Sequence, residues 1–220
     1  MTIHTENTLV GRKIGMTQVW NKDGDVQPVT VIKVGPCKVV QVKAKDGKDG
    51  YAAIQLGFEE LTAKNGGKGD ARLNKPMMGH FKKHGGQAFR VLRECRTDGK
   101  KGAPEAGAVL KVDIFANTKK VDVIGVTKGR GFSGCMKRHK FQGGRATHGS
   151  KNHREPGAIG VNQSGHPIIK GKRMPGRFGF VQRTTRNLDV VKVEVEHDLI
   201  YVKGPVAGPK TGLVLVRAVE

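Results

Sequence analysis

Acidic residues are almost missing from the middle of this chain. Between Gly125 and Asn187, 63 residues hold one acid, Glu155, against 14 Lys and Arg. Aromatic residues make up only 5% of the 220-residue chain, which excludes an interior built on ring stacking. Cysteine is scarce and odd in number. Cys37, Cys95 and Cys135 lie far apart with no C-x-x-C pair, so they do not form a disulfide framework and read as ordinary thiols of a reducing compartment. No run of about 18 apolar residues occurs, so no membrane-spanning helix is expected. The opening Met1-Thr-Ile-His-Thr-Glu-Asn7 lacks both the basic region and the apolar run of a signal peptide, and the expected location is the cytoplasm.

What the chain does have is positive charge, unevenly placed. Its formal net charge is +21 and its sequence pI is about 10.2. Outside Gly125–Asn187 the bases and acids come closer to balance, at 26 and 18. The same stretch holds 13 of the 32 glycines and no long helical or alternating apolar pattern. Such a segment cannot bury enough apolar surface to offset its ordering entropy, and its charge selects a polyanion as the ordering partner. A membrane surface would need an amphipathic helix pairing bases with large apolar groups. With 15 apolar residues in 63 and glycines throughout, none can form, so RNA or DNA fits better. Phe132, His139, Phe141, His148, His153, Phe178 and Phe180, scattered among the bases, suit stacking on unpaired bases. For Phe178 and Phe180, re-entry into an apolar core is an equal alternative.

Around this stretch the sequence reads as short strands. Leu9–Trp20 and the alternating, β-branched Val26–Val34 (VQPVTVIKV) flank Asn21-Lys-Asp-Gly-Asp25 and predict a hairpin. Lys38–Ala44 and Tyr51–Phe58 flank a second turn-forming run, Lys45–Gly50. Residues 59–87 form a smaller excursion, with a short helix near Met77–Lys83 and the bases Lys64, Lys68, Arg72, Lys75, Lys82 and Lys83. Further strands are predicted at Ala88–Cys95, Val109–Phe115, Lys120–Val126, Leu188–Val195, Leu199–Lys203 and Leu213–Val219. The fold class is mainly β, a barrel or sandwich. Because strands lie on both sides of the basic stretch, the simplest organisation is one barrel, 1–124 with 188–220, interrupted by a basic extension, 125–187. So long an insertion without secondary structure usually means function.

Three patterns inside the extension suggest other chemistry and fail on context. Gly129-Arg-Gly-Phe-Ser-Gly134 spells G-x-G-x-x-G after a strand, but its third Gly leads into Cys-Met-Lys-Arg-His-Lys140 without a βαβ context, and Glu155 sits in a turn instead of at a strand end. Cys135, His139, His148 and His153 have no usual zinc-ligand spacing, and the surrounding bases oppose a cation. Ser133, Ser150 and Ser164 lie near histidines but lack a nucleophile elbow and a carboxylate to orient the base. The chain is therefore not expected to be an enzyme, to hold a metal or cofactor, or to take a small-molecule substrate. A nucleotide- or metal-dependent enzyme and a general basic nucleic-acid binder are the alternatives.

Several motifs in order resemble the bacterial-type ribosomal protein L3 family of the large subunit. They are Gly11-Arg-Lys-Ile-Gly-Met-Thr-Gln18, Pro28-Val-Thr-Val31, Asn74-Lys-Pro76, Gly79-His-Phe81, Val112-Asp-Ile-Phe115, Lys128-Gly-Arg-Gly-Phe132, Ala146-Thr-His-Gly-Ser150, His153-Arg-Glu-Pro-Gly-Ala-Ile-Gly160, Lys170-Gly-Lys-Arg-Met174 and Val202-Lys-Gly204. The resemblance implies a six-stranded, translation-protein-like β-barrel with a long basic loop. It implies direct binding to large-subunit rRNA early in assembly, contact with neighbouring ribosomal proteins, and a loop reaching toward the peptidyl-transferase centre. Carried over, the RNA-contacting residues are Lys128, Arg130, Lys137, Arg138, His139 and Lys140 on the outgoing segment. Arg145 and His148 lie near the inner end, within Phe141–Ser150; Lys151, His153 and Arg154 line the arm beyond it, followed by Lys170, Lys172 and Arg173. Two departures stand out. Part of the family has a Gln, methylated after translation, where this chain has Gly144, and His139 replaces a Trp.

Overall fold

Turn chemistry and period-two runs build the first strands. Thr8–Trp20 (β1) and Val26–Val34 (β2) pair antiparallel from Gly11↔Val34 to Trp20↔Val26, with a bulge between Lys13 and Gly15. The computed structural model describes residues 7–21, 24–47, 49–61, 73–97, 104–160 and 167–219. Among these the chain is mainly β. Further strands are Cys37–Lys43 (β3), Ala53–Glu60 (β4), Phe89–Arg96 (β5), Val109–Leu110 (β6), Lys120–Val126 (β7), Phe132–Ser133 (β8), Gly176–Arg177 (β9), Gln182–Glu194 (β10), Leu199–Lys203 (β11) and Leu213–Val219 (β12). The helices are short, Lys75–Lys83 (α1) and Cys135–His139 (α2).

Six strands pair in a closed ring, β1–β12–β7–β10–β11–β2. Alternate residues face inward and meet across the ladders. Leu9 lies opposite Val216, Val216 opposite Val123, and Ile200 opposite Ile32, all fully buried. Closed pairing leaves the ring without an open edge, so its backbone groups are satisfied internally. The ring closes where β1 meets β12, from Thr8↔Arg217 to Arg12↔Leu213.

The remaining early strands form a second sheet, β5–β4–β3–β6, and do not join the barrel as the single-barrel reading expected. One face of it completes the barrel's apolar core. Val39, Leu56, Phe58 and Cys95 cluster with Leu9, Ile32 and Val123. The other face packs Val40 and Phe89 against Phe81 of α1. That helix begins as its sequence dictates: the Asn74 side chain accepts the Met77 N–H at 3.1 Å, Pro76 occupies the first turn, and the Gly86 N–H bonds back to the Phe81 carbonyl at 2.7 Å. The short helix expected near Met77–Lys83 is therefore present, whereas Lys64, Lys68 and Arg72 of the same excursion lie outside the described residues.

Two strand expectations need correction. Val109–Phe115 is a strand only over β6, and Val112–Phe115 is a 3-10 turn. Val112 and Phe115, three residues apart, are both fully buried, a spacing that one tight helical turn satisfies and an extended strand does not. At the other end of the basic stretch, β10 starts at Gln182 instead of Leu188. Its first residues, Gln-Arg-Thr-Thr-Arg-Asn, have no apolar alternation, yet they pair with β7 from Gln182↔Val126 to Thr185↔Val123. The register then shifts, and Asn187 takes a left-handed φ of 54°. Asp122 holds that bulge. Its Oδ1 accepts the Asn187 N–H at 2.9 Å, and its Oδ2 pairs with Arg217 Nη2 at 2.6 Å.

Two half-exposed ion pairs tie the second sheet into this unit or brace it. Arg12 forks onto Glu59, with Nη2 to Oε2 at 2.9 Å, and Lys43 reaches Glu94 at 2.9 Å, where Tyr51 also donates. Hydrogen bonds from Arg12 and from Lys43 hold the Glu59 and Glu94 carboxyls below the usual carboxylate range. A depressed folded-state pKa contributes stability above the unfolded pKa, near 4.3, and loses it as pH falls through the folded value. Solvent screening limits each contribution to less than about 1 kcal/mol. Below about pH 4, the wild-type midpoint temperature should therefore fall more steeply than that of a Glu59→Gln, Glu94→Gln variant. Parallel curves in thermal melts from pH 3 to 7 would contradict this. Burial also pushes the Cys37 thiol up to about 12 and Cys95 to about 11, so both stay protonated at neutral pH.

The chain divides into two compact units, Met1–Val126 with Gln182–Glu220, and Thr127–Val181. The first contains the barrel, the second sheet and α1. The second contains β8, α2 and β9.

Candidate nucleic-acid interface

Backbone pairing, not an apolar core, organises Thr127–Val181. The outgoing and returning segments lie antiparallel. The Thr127 N–H bonds to the Val181 carbonyl at 2.9 Å, Arg130 N–H to the Phe178 carbonyl at 2.9 Å, and Phe178 N–H to the Gly131 carbonyl at 2.9 Å. Then Phe132 and Ser133 pair with Arg177 and Gly176. Glycine permits this closeness: a Cβ on Gly179, whose φ is +74°, would sit 2.1 Å from the Lys128 carbonyl oxygen.

Further along, α2 is a single turn and a half, closed by Lys140 in the left-handed region. Two side chains fasten it to the return segment. Arg138 Nη1 donates to the Met174 carbonyl at 2.7 Å, and His139 Nε2 donates to the same oxygen at 3.1 Å. Both are half-buried. The turn that follows is held by the Gly144 N–H on the His153 carbonyl at 3.2 Å and by His153 Nδ1 on the Arg145 carbonyl at 2.9 Å. A Cβ on Gly144 would lie 1.9 Å from the Asn152 carbonyl oxygen, so a Gln side chain does not fit the backbone as it runs here. Gly144→Ala is expected to part the two segments. Amide exchange across 143–153 should speed at least ~10-fold while the main unfolding transition stays put, because the change is local. Unchanged protection in a hydrogen-exchange experiment would refute the expectation.

The fourteen residues singled out in the sequence fall into two groups. Arg138 and His139 are half-buried and hold the local fold, as the exposed His153 also does through its Nδ1. Lys128, Arg130, Lys137, Lys140, Arg145, His148, Lys151, His153, Arg154, Lys170, Lys172 and Arg173 are exposed. Among the described residues, no base of this unit has an acid partner, whereas Arg12, Lys43 and Arg217 of the first unit do. The geometry joins Arg145 to His153 and α2 to Met174, but it does not bring Lys170, Lys172 and Arg173 into a bonded cluster with Arg145–Arg154. Cys135, His139, His148 and His153 are not gathered, and no metal-binding group of His, Cys, Asp and Glu occurs among the described residues. Nor do Phe178 and Phe180 enter the barrel core. Arg177 was not among the residues singled out, although the Arg-Phe-Gly-Phe run at 177–180 alternates large groups with glycine as the outgoing Gly-Arg-Gly-Phe does.

A closed β-barrel interrupted by a glycine-laced unit whose bases have no acid partners defines a barrel protein with a basic extension. The comparisons make the class specific. The model of the family described as ribosomal protein L3 matches residues 103–195. The chain is 51% identical over 212 residues to the large ribosomal subunit protein uL3 of Thermotoga petrophila, covering 96% of this chain and 97% of that protein. It is 49% identical to the uL3 of Thermosipho africanus, with 96% and 98% covered, and 48% identical to that of Pelotomaculum thermopropionicum, with 95% of each covered. The chain belongs to the ribosomal protein L3 family.

Proposed function

We infer that this protein is a structural constituent of the large ribosomal subunit, binding rRNA directly and early in assembly, and that it is not an enzyme. The observation that carries the reading is the set of exposed, unpaired bases between Lys128 and Arg173. Folding leaves them without acids, so their counter-charge must come from outside, and crowded phosphates supply it. Family membership makes that phosphate large-subunit rRNA and the location the cytoplasmic ribosome. In this reading the barrel, of the translation-protein type, is a platform that touches neighbouring ribosomal proteins. Residues 127–181 form the extension that reaches toward the peptidyl-transferase centre, with glycines where backbone must approach RNA.

Neutralising about eight phosphates should give a slope of log K against log salt of roughly −6 to −7. A slope near −1 would remove the electrostatic basis of the reading. Chemical footprinting on intact large-subunit rRNA at near-physiological salt tests the rest. Discrete protections near the rRNA 3′ region, with a second set near the catalytic centre, are expected. Diffuse protection lost at modest salt would leave only a general basic nucleic-acid binder.

A further inference from the structure

Two of the most exposed apolar side chains of the second unit lie together. Phe132 is 81% exposed and Phe180 is 65% exposed. With Gly129, Gly131, Arg177 and Phe178 they line an open groove of about 530 Å³. Folding alone does not explain the arrangement, since a Phe gains little from standing in water and Phe180 does so at a left-handed φ of 53°, strained for a bulky residue.

The groove's chemistry names its occupant. The guanidinium of Arg130 lies 5.3 Å from the Phe178 ring centre, and that of Arg177 lies 5.4 Å from the Phe180 ring centre. Each ring thus carries a cation held near its π-system. Phe132 sits opposite Arg177 in the β8–β9 ladder, and among the described residues no ring or cation stacks on its ring. Lys128 and Arg130 are exposed and adjoin the groove's Gly129 and Gly131 along the chain, and none of the residues lining the groove is acidic. The glycines at 129 and 131 leave its floor as bare backbone, and a Cβ on Gly131 would meet nothing within 4 Å. Planar apolar faces, guanidinium planes and unpaired positive charge together suit a flat ring attached to a phosphate. An apolar protein side chain would use the rings but leave the cations unanswered.

We propose that Phe132, Phe178, Phe180 and Arg177 form a stacking slot for a single unpaired nucleobase, whose 5′ or 3′ phosphate is held by Arg130 or Lys128. The proposal rests on the rRNA-binding reading and adds to it a base that must be splayed out of its helix. Recognition here is by π-face and so tolerates sequence but not pairing.

The test uses the full-length chain and a short single-stranded RNA carrying one 2-aminopurine, against the same RNA annealed to its complement, at matched salt. Wild-type protein should quench the fluorophore in the single strand and not in the duplex. Phe132→Ala and Phe180→Ala should each weaken single-strand binding by ~10-fold, abolish quenching and leave the salt slope unchanged. Both residues are exposed, so the variants should fold. Phe132→Trp should keep the quenching and Phe132→Leu should lose it, because Leu keeps apolar contact but offers no π-face. If the wild type binds RNA with a steep salt slope yet neither quenches nor responds to these substitutions, the slot is refuted while the rRNA-binding reading stands. If the wild type shows no salt-dependent RNA binding, that reading fails and the slot with it. Photo-cross-linking from position 132 in assembled large subunits should reach rRNA. A cross-link to a protein instead would overturn the nucleobase assignment.

Discussion

Replacing Thr127–Val181 with a two-residue Asn-Gly turn should leave a barrel that still melts cooperatively and should abolish incorporation into large subunits. The expectation comes from register. Strands β7 and β10 pair through Val126↔Gln182, so the ends of the removed unit already sit opposite each other in a ladder. An Asn-Gly turn is the short loop whose twist suits such a hairpin, and the shorter closure favours folding. None of the residues in the main core cluster falls within 127–181. The RNA term behaves oppositely. Twelve of the 14 bases of the Gly125–Asn187 stretch go with the deletion, leaving Arg183 and Arg186. Affinity for large-subunit rRNA near 0.15 M salt should fall at least ~10³-fold, with the salt slope collapsing toward about −1. Sucrose-gradient analysis of tagged subunits and thermal melts of the purified variant read the two halves. A variant that cannot fold would mean the extension is part of the barrel's stability. Continued incorporation would mean that the barrel alone carries the binding.

The second large effect concerns stability. Asp122 is a buried carboxylate of the barrel, and the side chains of the Asp122–Arg217 pair are 8% and 14% exposed. It does two jobs, answering Arg217 and capping the N–H of Asn187 where β10 bulges. Asp122→Ala leaves a buried guanidinium and a bulge N–H without their acceptors, at a cost of about 3 kcal/mol. For a chain of this length, that lowers the melting temperature by roughly 6–10 °C. Adding Arg217→Met should recover part of the loss, because removing both members of a buried pair costs less than removing one. Denaturant titrations of the single and double variants give the coupling directly. A single-variant loss below about 1 kcal/mol would show that water reaches the pair and screens it.

These features were unequally visible in the sequence. The β1–β2 hairpin was legible because Val26–Val34 alternates and Asn21–Asp25 is a turn composition, both local signals. Membership of two sheets was not. Period-two alternation says that a strand has a buried face, but not against which neighbour, so β3, β4 and β5 read like barrel strands. The entry of β10 was hidden for the opposite reason. Arg183 to Arg186 are polar on both faces, and pairing with β7 orders them without apolar alternation. In the second unit, charge located the bases but did not separate their uses. Arg138 looks in sequence like Lys137 and Lys140, yet it is spent on the Met174 carbonyl. That distinction depends on a carbonyl 36 residues away, which no local pattern encodes.

The seam between β1 and β12 has a consequence for biosynthesis. The pairing Thr8↔Arg217 joins residues about as far apart in sequence as the chain allows. Loop closure over such a span is slow, and it must wait for both ends to exist. In a chain made from its N-terminus, the polycationic segment emerges before the strand that completes the ring. For that interval the nascent protein is an unfinished cylinder, with the edges of β1 and β7 unpaired, trailing a segment able to capture any nearby nucleic acid. Such a product should be a client of chaperones that shield exposed strand edges and basic tails until translation ends.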